Sequence, residues 1–228
     1  RSVSRGLGDV YKRQQTRRVM KNLKFQSVFD IIGPVMIGPS SSHTAGAVRI
    51  GKIVSAIFGE TPTEVEFQLF NSFAKTYRGH GTDVALVAGI LGMETDDPDI
   101  PRALDIAYEK GIKVYWKINK DSNAPHPNTT RITLKNDTKT ISATGVSIGG
   151  GNIQVTELNG FAVNLKMNTP TLIIVHQDVP GMIALVTDIL SRYGINIAQM
   201  TVTRENAGEK AIMICLLYTS DAADEARS

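Results

Sequence analysis

Apolar positions recur along this chain in two periods, and the changes between them mark out its elements. Residues 45–58 read as an apolar helix. Residues 64–70, Glu-Val-Glu-Phe-Gln-Leu-Phe, alternate as a half-buried strand does. An apolar helix follows over 84–91, a helix over 101–110 that Gly111 stops, and a strand over 112–118. Residues 131–134, 139–144 and 152–158 suggest an antiparallel meander, with the loop 147–151 between the last two strands. Helices and strands mix here without strict βαβ alternation, which predicts an α+β fold.

Near Asn168-Thr169-Pro170 a second unit begins. Residues 171–176 form a buried strand, and Asp178-Val179-Pro180-Gly181 is a turn that caps a helix. Over 182–193 the apolar residues Ile183, Val186, Ile189 and Leu190 keep helical spacing, and Gly194 ends the run. A strand over 195–203, a hairpin turn over 204–208 and a strand over 210–214 complete a β-α-β-β order.

Candidate chemistry gathers in loops. Gly38-Pro39-Ser40-Ser41-Ser42-His43-Thr44 places hydroxyls and an imidazole just before the first helix. Free N–H groups, hydroxyl donors and the helix dipole make such a loop a seat for a carboxylate or phosphate. His43 stands at its edge, where a proton-transfer group is useful; the alternative is an N-cap loop with an exposed histidine. Tyr77-Arg78-Gly79-His80-Gly81-Thr82-Asp83 sets His80 between glycines that let a ligand approach. His126-Pro127-Asn128-Thr129 precedes a strand, and His126 is as readily loop structure as a functional group. Ser147-Ile148-Gly149-Gly150-Gly151 is either a nest of backbone N–H groups for an anion or a turn between strands. Of the 4 histidines, three lie in loops punctuated by glycine or proline rather than on apolar faces.

These four motifs, in this order and after Phe29-Asp30-Ile31-Ile32-Gly33-Pro34, resemble the beta subunit of bacterial iron–sulfur L-serine dehydratases over about residues 20–214. The resemblance implies an L-serine ammonia-lyase that yields pyruvate and ammonia. Its [4Fe–4S] cluster would be held by cysteines of a partner alpha subunit, with no metal bound by this chain alone. His80 would be the leading general base and His43 the second candidate or the group serving the departing hydroxyl. Asn128 would fix the substrate amine or hydroxyl. Ser40, Ser41, Ser42 and Thr44 would seat the carboxylate, with Gly149 and Gly150 offering further N–H groups. Thr82 and Asp83 would cap and support. The second unit resembles an ACT domain, a ferredoxin-like amino-acid-sensing module, with Asp178 and Gly181 in the turn where ligands commonly bind. It would provide for homodimerisation. His176, at the end of its first strand, reads as structural.

The ends change the composition argument. Asp9-Val10-Tyr11-Lys12-Arg13-Gln14 can be encoded by GAT GTG TAT AAG AGA CAG, and Cys215-Leu216-Leu217-Tyr218-Thr219-Ser220 by TGT CTC TTA TAC ACA TCT. The second string overlaps the reverse complement of the first, as one DNA adapter read in both directions would. Residues 1–19 and 215–228 are therefore expected to be foreign or leader sequence, with Met20 as the start, and 1–14 and 215–228 to pack poorly on the rest. The domains expected are 20–168 and 169–214, the latter truncated where a second helix and fourth strand would follow. The 25 basic and 22 acidic residues include seven and four, respectively, in those ends, which leaves 18 of each. The basic balance then argues for no nucleic-acid partner. The single cysteine, Cys215, falls in the foreign segment, leaving no thiolate for a cluster. No apolar run reaches the roughly 18 residues of a membrane helix, and no secretory signal precedes Met20, so the expected compartment is the cytoplasm.

A competing reading is a non-catalytic module that reports amino-acid levels to a metabolic enzyme, since the first domain also resembles the allosteric substrate-binding domain of some phosphoglycerate dehydrogenases. Histidines concentrated in three loops favour catalysis. A nucleotide-binding enzyme ranks low, because neither G-x-G-x-x-G after a first strand nor G-K-[ST] is present.

Overall fold

A computed structural model describes residues 34–218 apart from 121, 125, 167, 168, 205 and 207. The Phe29–Gly33 part of the first motif, the leading 19 residues and residues 219–228 lie outside the described residues. A π-helical turn, Ser41–Ala45, leads into α1 (Gly46–Phe58). Strand β1 (Glu64–Phe70) is followed by α2 (Asn71–Thr76) and α3 (Thr82–Ile90). A 3-10 turn, Ile100–Arg102, runs into α4 (Ala103–Glu109), and then come β2 (Lys113–Asn119), β3 (Asn128–Lys135), β4 (Thr140–Gly149), β5 (Asn152–Leu158) and β6 (Phe161–Leu165). The second unit is β7 (Thr171–Gln177), α5 (Met182–Arg192), β8 (Asn196–Arg204) and β9 (Lys210–Tyr218). Helices and two sheets thus mix as the α+β expectation requires. No helix among the described residues is long and apolar enough to cross a membrane.

The first sheet has the order β2-β1-β3-β4-β5-β6; β1 and β2 are parallel and the other pairs antiparallel. The alternation read in β1 is realised: Val65, Phe67 and Leu69 are buried against the helices, while Glu64 and Glu66 face outward and pair with Lys113, Lys135 and Lys117. Those ion pairs are partly exposed and add little stability. The core forms where α1 and α3 lie on the sheet with Ile132 and Leu134 of β3. Two glycines let the helices touch. A Cβ on Gly89 would stand 2.1 Å from the Val48 carbonyl oxygen, and one on Gly51 would stand 2.4 Å from that of Leu86. Ser55 adds a hydroxyl hydrogen bond to the Ile90 carbonyl, 2.9 Å.

The second sheet is antiparallel with the order β7-β9-β8, so its central strand is the last of the three in the chain. One face takes Val186 and Leu190 of α5 against Met213 and Cys215. The other sends Ile212 and Ile214 into the core of the first unit. The second sheet thus packs one face on the first unit's core and keeps a small core of its own on the other.

Several expectations are revised. Ser147, Ile148 and Gly149 belong to β4, which keeps pairing with β5 through two register shifts; the expected loop shrinks to a tight turn. The short α2 and β6 were not expected: six residues are under two helical turns, and Phe161-Ala162-Val163-Asn164-Leu165 does not alternate apolar with polar. Strand β9 does not stop at Ile214. Cys215 is fully buried, and Leu216 pairs with Thr171 on one side and Gln199 on the other. Whatever the origin of Cys-Leu-Leu-Tyr, these residues extend an apolar strand and pack rather than hang free.

Candidate functional site

The hydroxyl-rich turn is built around one imidazole. Ser40 caps the π-helical turn in extended backbone, its Oγ accepting the His43 N–H at 3.2 Å. The Ser42 hydroxyl lies 3.0 Å from His43 Nδ1, the Ser40 hydroxyl 3.5 Å from the same nitrogen, and the two hydroxyls 3.3 Å apart. On the far side of the ring, the Ser72 hydroxyl is 3.0 Å from Nε2. His43 is only 9% exposed, so the exposed-histidine alternative does not hold. Phe73 meets its ring edge-on at a centroid distance of 5.2 Å, and His80 at 4.9 Å. Burial, and then the positive charge that His80 can carry, push the His43 pKa below its ordinary value.

His80 is presented by the turn before α3. Its N–H donates to the Thr76 carbonyl at 3.0 Å, and its own carbonyl accepts the Thr44 hydroxyl at 3.1 Å. Thr44, expected in the carboxylate seat, is thus buried and committed to fixing the His80 loop. His80 Nδ1 is buried without a hydrogen-bond partner among the described residues, as are Thr82 Oγ1 and Ser147 Oγ. Thr82 therefore does not cap α3; Asp83 does more there, its carboxylate accepting the Val84 N–H at 2.9 Å. A buried polar atom left unpaired costs about 1–3 kcal/mol, and such atoms call for a missing group to complete them. Ser147 lies directly over the start of α1, where a Cβ on Gly46 would be 2.2 Å from its hydroxyl.

The third and fourth motifs frame this cluster. Ser72 N–H donates to the Pro127 carbonyl at 3.0 Å, and Asn71 bridges to Asn128, so the start of β3 abuts the start of α2. His126 serves this junction: its Nδ1 accepts the Asn128 N–H at 3.1 Å and its carbonyl the Thr129 hydroxyl at 2.6 Å. Gly149 pairs with Asn152, and the Gly151 carbonyl accepts Arg49 Nη1 at 2.8 Å, which ties the β4–β5 turn beside Gly149 and Gly150 to α1. The structure thus brings together Ser40, Ser42, His43, Thr44 and His80, with Asn128 and the glycine turn around them. Ser41 sits half-buried in the same π-helical turn.

Asp178 and Gly181 stand elsewhere, in the second unit. Asp178 holds the β8–β9 hairpin, its carboxylate 3.3 Å from Arg204 Nη1 and its N–H donating to the Glu209 carbonyl at 2.7 Å. Gly181 opens α5 with φ 91°. His176 Nδ1–H donates to the Gln177 carbonyl at 2.7 Å. Among the described residues no three His, Cys, Asp or Glu side chains come together as a metal site.

Sequence reasoning missed Ser72 and Asn71. Their signal was slight: an Asn-Ser pair directly after a strand, where the chain must turn.

A mixed α+β unit gathers hydroxyls and two imidazoles where helices begin, and a β-α-β-β unit packs on its core. The chain belongs to the serine dehydratase beta chain family, which it matches over residues 27–158. It is 48% identical over 191 residues to the "Probable L-serine dehydratase, beta chain" of Bacillus subtilis, covering 84% of this chain and 86% of that one. It is 36% identical over 181 residues to the "L-serine dehydratase, beta chain" of Peptoniphilus asaccharolyticus, covering 79% and 81%. A D-3-phosphoglycerate dehydrogenase of Bacillus subtilis is 31% identical over 169 residues, which span 74% of this chain but 32% of that protein.

Proposed function

We propose that this chain binds L-serine and moves its α-proton within an L-serine ammonia-lyase assembled with an alpha subunit. In that reaction the α-proton and the β-hydroxyl leave as water is lost, and the aminoacrylate that remains hydrolyses to pyruvate and ammonia. One observation carries the reading: His43 is buried, held toward its neutral form and hydrogen-bonded through both ring nitrogens, beside a second imidazole. A neutral imidazole near the operating pH can accept a proton, a contribution of roughly 10²–10⁴-fold in rate. The sequence ranks His80 first as the base; the geometry favours His43 for abstraction, with His80 beside it serving the departing hydroxyl. Ser40, Ser41 and Ser42, with the unpaired N–H groups of a first helical turn, seat the carboxylate. Asn128 orients the amine, and Gly149 and Gly150 add backbone donors at the rim.

A Lewis acid holding the hydroxyl makes its loss feasible, and the resemblance implies a [4Fe–4S] cluster. The described residues do not fit one: they show no ligand cluster, and Cys215 is buried in the second unit, where burial raises its thiol pKa away from the thiolate a cluster needs. The cluster is therefore proposed for the alpha subunit, and this chain's part is confined to binding and proton transfer. The unpaired His80 Nδ1, Thr82 Oγ1 and Ser147 Oγ support a site completed by substrate and partner. The second unit is proposed as a partial ACT domain, with Asp178 and Gly181 at its ligand turn and a homodimer through its sheet. The cytoplasm is the proposed compartment.

The test is anaerobic co-expression with an alpha subunit and a serine-to-pyruvate assay, with α-proton exchange followed by NMR in deuterated water. We expect His43→Ala to abolish exchange and turnover together, and His80→Ala to lower turnover while some exchange survives. The opposite pattern returns the base to His80. Full turnover in both variants favours the amino-acid-sensing reading, which the likeness to a phosphoglycerate dehydrogenase supports.

A further inference from the structure

The residue after β1 departs from ordinary backbone geometry. Asn71 has φ 47°, in the left-handed region that few non-glycine residues enter. Its surroundings hold it there: its Oδ1 accepts the Ser122 N–H at 3.1 Å and lies 3.3 Å from the Ser122 hydroxyl, and its backbone bridges to Asn128. Strained backbone that its neighbours over-determine marks a position where the conformation itself is needed. What this one delivers is Ser72. The bend starts α2 with the Ser72 hydroxyl 3.0 Å from His43 Nε2, across 29 residues of sequence.

Resting on the reading of His43 as a proton-transfer group, we propose that Ser72 is a positioning residue that donates its hydroxyl proton to His43 Nε2 and so fixes the ring as the Nδ1–H tautomer. Each of these hydroxyls can donate or accept, and the proposed direction is the one in which Nδ1 donates and Nε2 accepts. Nδ1 faces two hydroxyl oxygens, of Ser42 at 3.0 Å and Ser40 at 3.5 Å, so a proton on Nδ1 has acceptors on that side. Nε2 faces the single hydroxyl of Ser72, a rotor whose proton is free to turn toward the ring lone pair. In histidine the hydrogen bond at one nitrogen determines what the other can do. This tautomer is the minority form of a histidine side chain in water, so the protein must impose it. The basic lone pair is then aimed along the Ser72 side of the ring and shielded by that hydroxyl until substrate enters.

The full chain, labelled with ¹⁵N-histidine, tests this by two-bond ¹H–¹⁵N correlation at a pH where His43 is neutral; 4 histidines make assignment by single substitution practical. We expect a protonated-type Nδ1 and an unprotonated-type Nε2 for His43. Ser72→Ala should move both signals toward an averaged mixture of tautomers, and Ser72→Thr, which keeps the hydroxyl, should restore them. In the enzyme completed with the alpha subunit, Ser72→Ala should lower kcat about 10–100-fold with KM for L-serine within about twofold, and Ser72→Thr should recover most of the loss. A native Nε2–H tautomer, or His43 signals unmoved by Ser72→Ala, would overturn the proposal. Signals that respond as expected while kcat stays unchanged would uphold the contact and overturn the role given to His43.

Discussion

His43 links stability to pH as well as to chemistry. Its pKa in the folded chain lies below the ordinary 6.5, so between those two values the unfolded chain binds the proton and the folded chain does not. Stability from this group is complete above pH 6.5 and falls as the pH drops toward the folded value, below which it levels off. Urea midpoints measured from pH 7.5 to pH 5 should show that decline, and His43→Gln should flatten it. The same substitution should remove a ring that Ser42, Ser72 and Phe73 all contact.

At the scale of elements, the crossing of α1 and α3 leaves no room for a methyl group. Gly89→Ala should cost about 2–3 kcal/mol, read as a lower denaturant midpoint, because its Cβ would meet the Val48 carbonyl rather than a side chain that can swing away. The elements that sequence could reveal are those with enough length to show a period or an end signal. The alternation of β1, the helical spacing of Ile183, Val186, Ile189 and Leu190, and the stop at Gly111 all carried through. Short elements stayed hidden, as α2 did, and the β4–β5 turn looked longer than it is because glycines inside a bulged strand resemble a loop. In the site, histidines and hydroxyls in punctuated loops were legible, since so few residue types can transfer protons. The tie from Thr44 to the His80 loop was not legible, because nothing local says that a hydroxyl will be spent on a carbonyl 36 residues away. Ser72 was invisible for a related reason: its meaning comes from a bend at Asn71 that β3 and Ser122 hold.

At the scale of the whole molecule, β9 joins everything. Ending the chain after Ile214 would remove the buried Cys215, the pairing of Leu216 with both neighbours and the Leu217 N–H to Pro170 carbonyl hydrogen bond of 2.8 Å. We expect the melting temperature to fall by several degrees, consistent with roughly 1–2 kcal/mol in a chain of this size; an unchanged melting temperature would restore the view of these residues as passive. Because Ile212 and Ile214 belong to the first unit's core, calorimetry should show one transition rather than two. The strand order also has a consequence for biosynthesis. β7 and β8 are made first, yet neither can pair until the strand between them has been translated. For on the order of a second at ordinary elongation rates, a nascent chain carries two unpaired strand edges and an uncovered apolar patch on the first unit. That interval, rather than any weakness of the finished fold, is where a trigger-type chaperone or a faster codon run should change the yield of correctly folded protein.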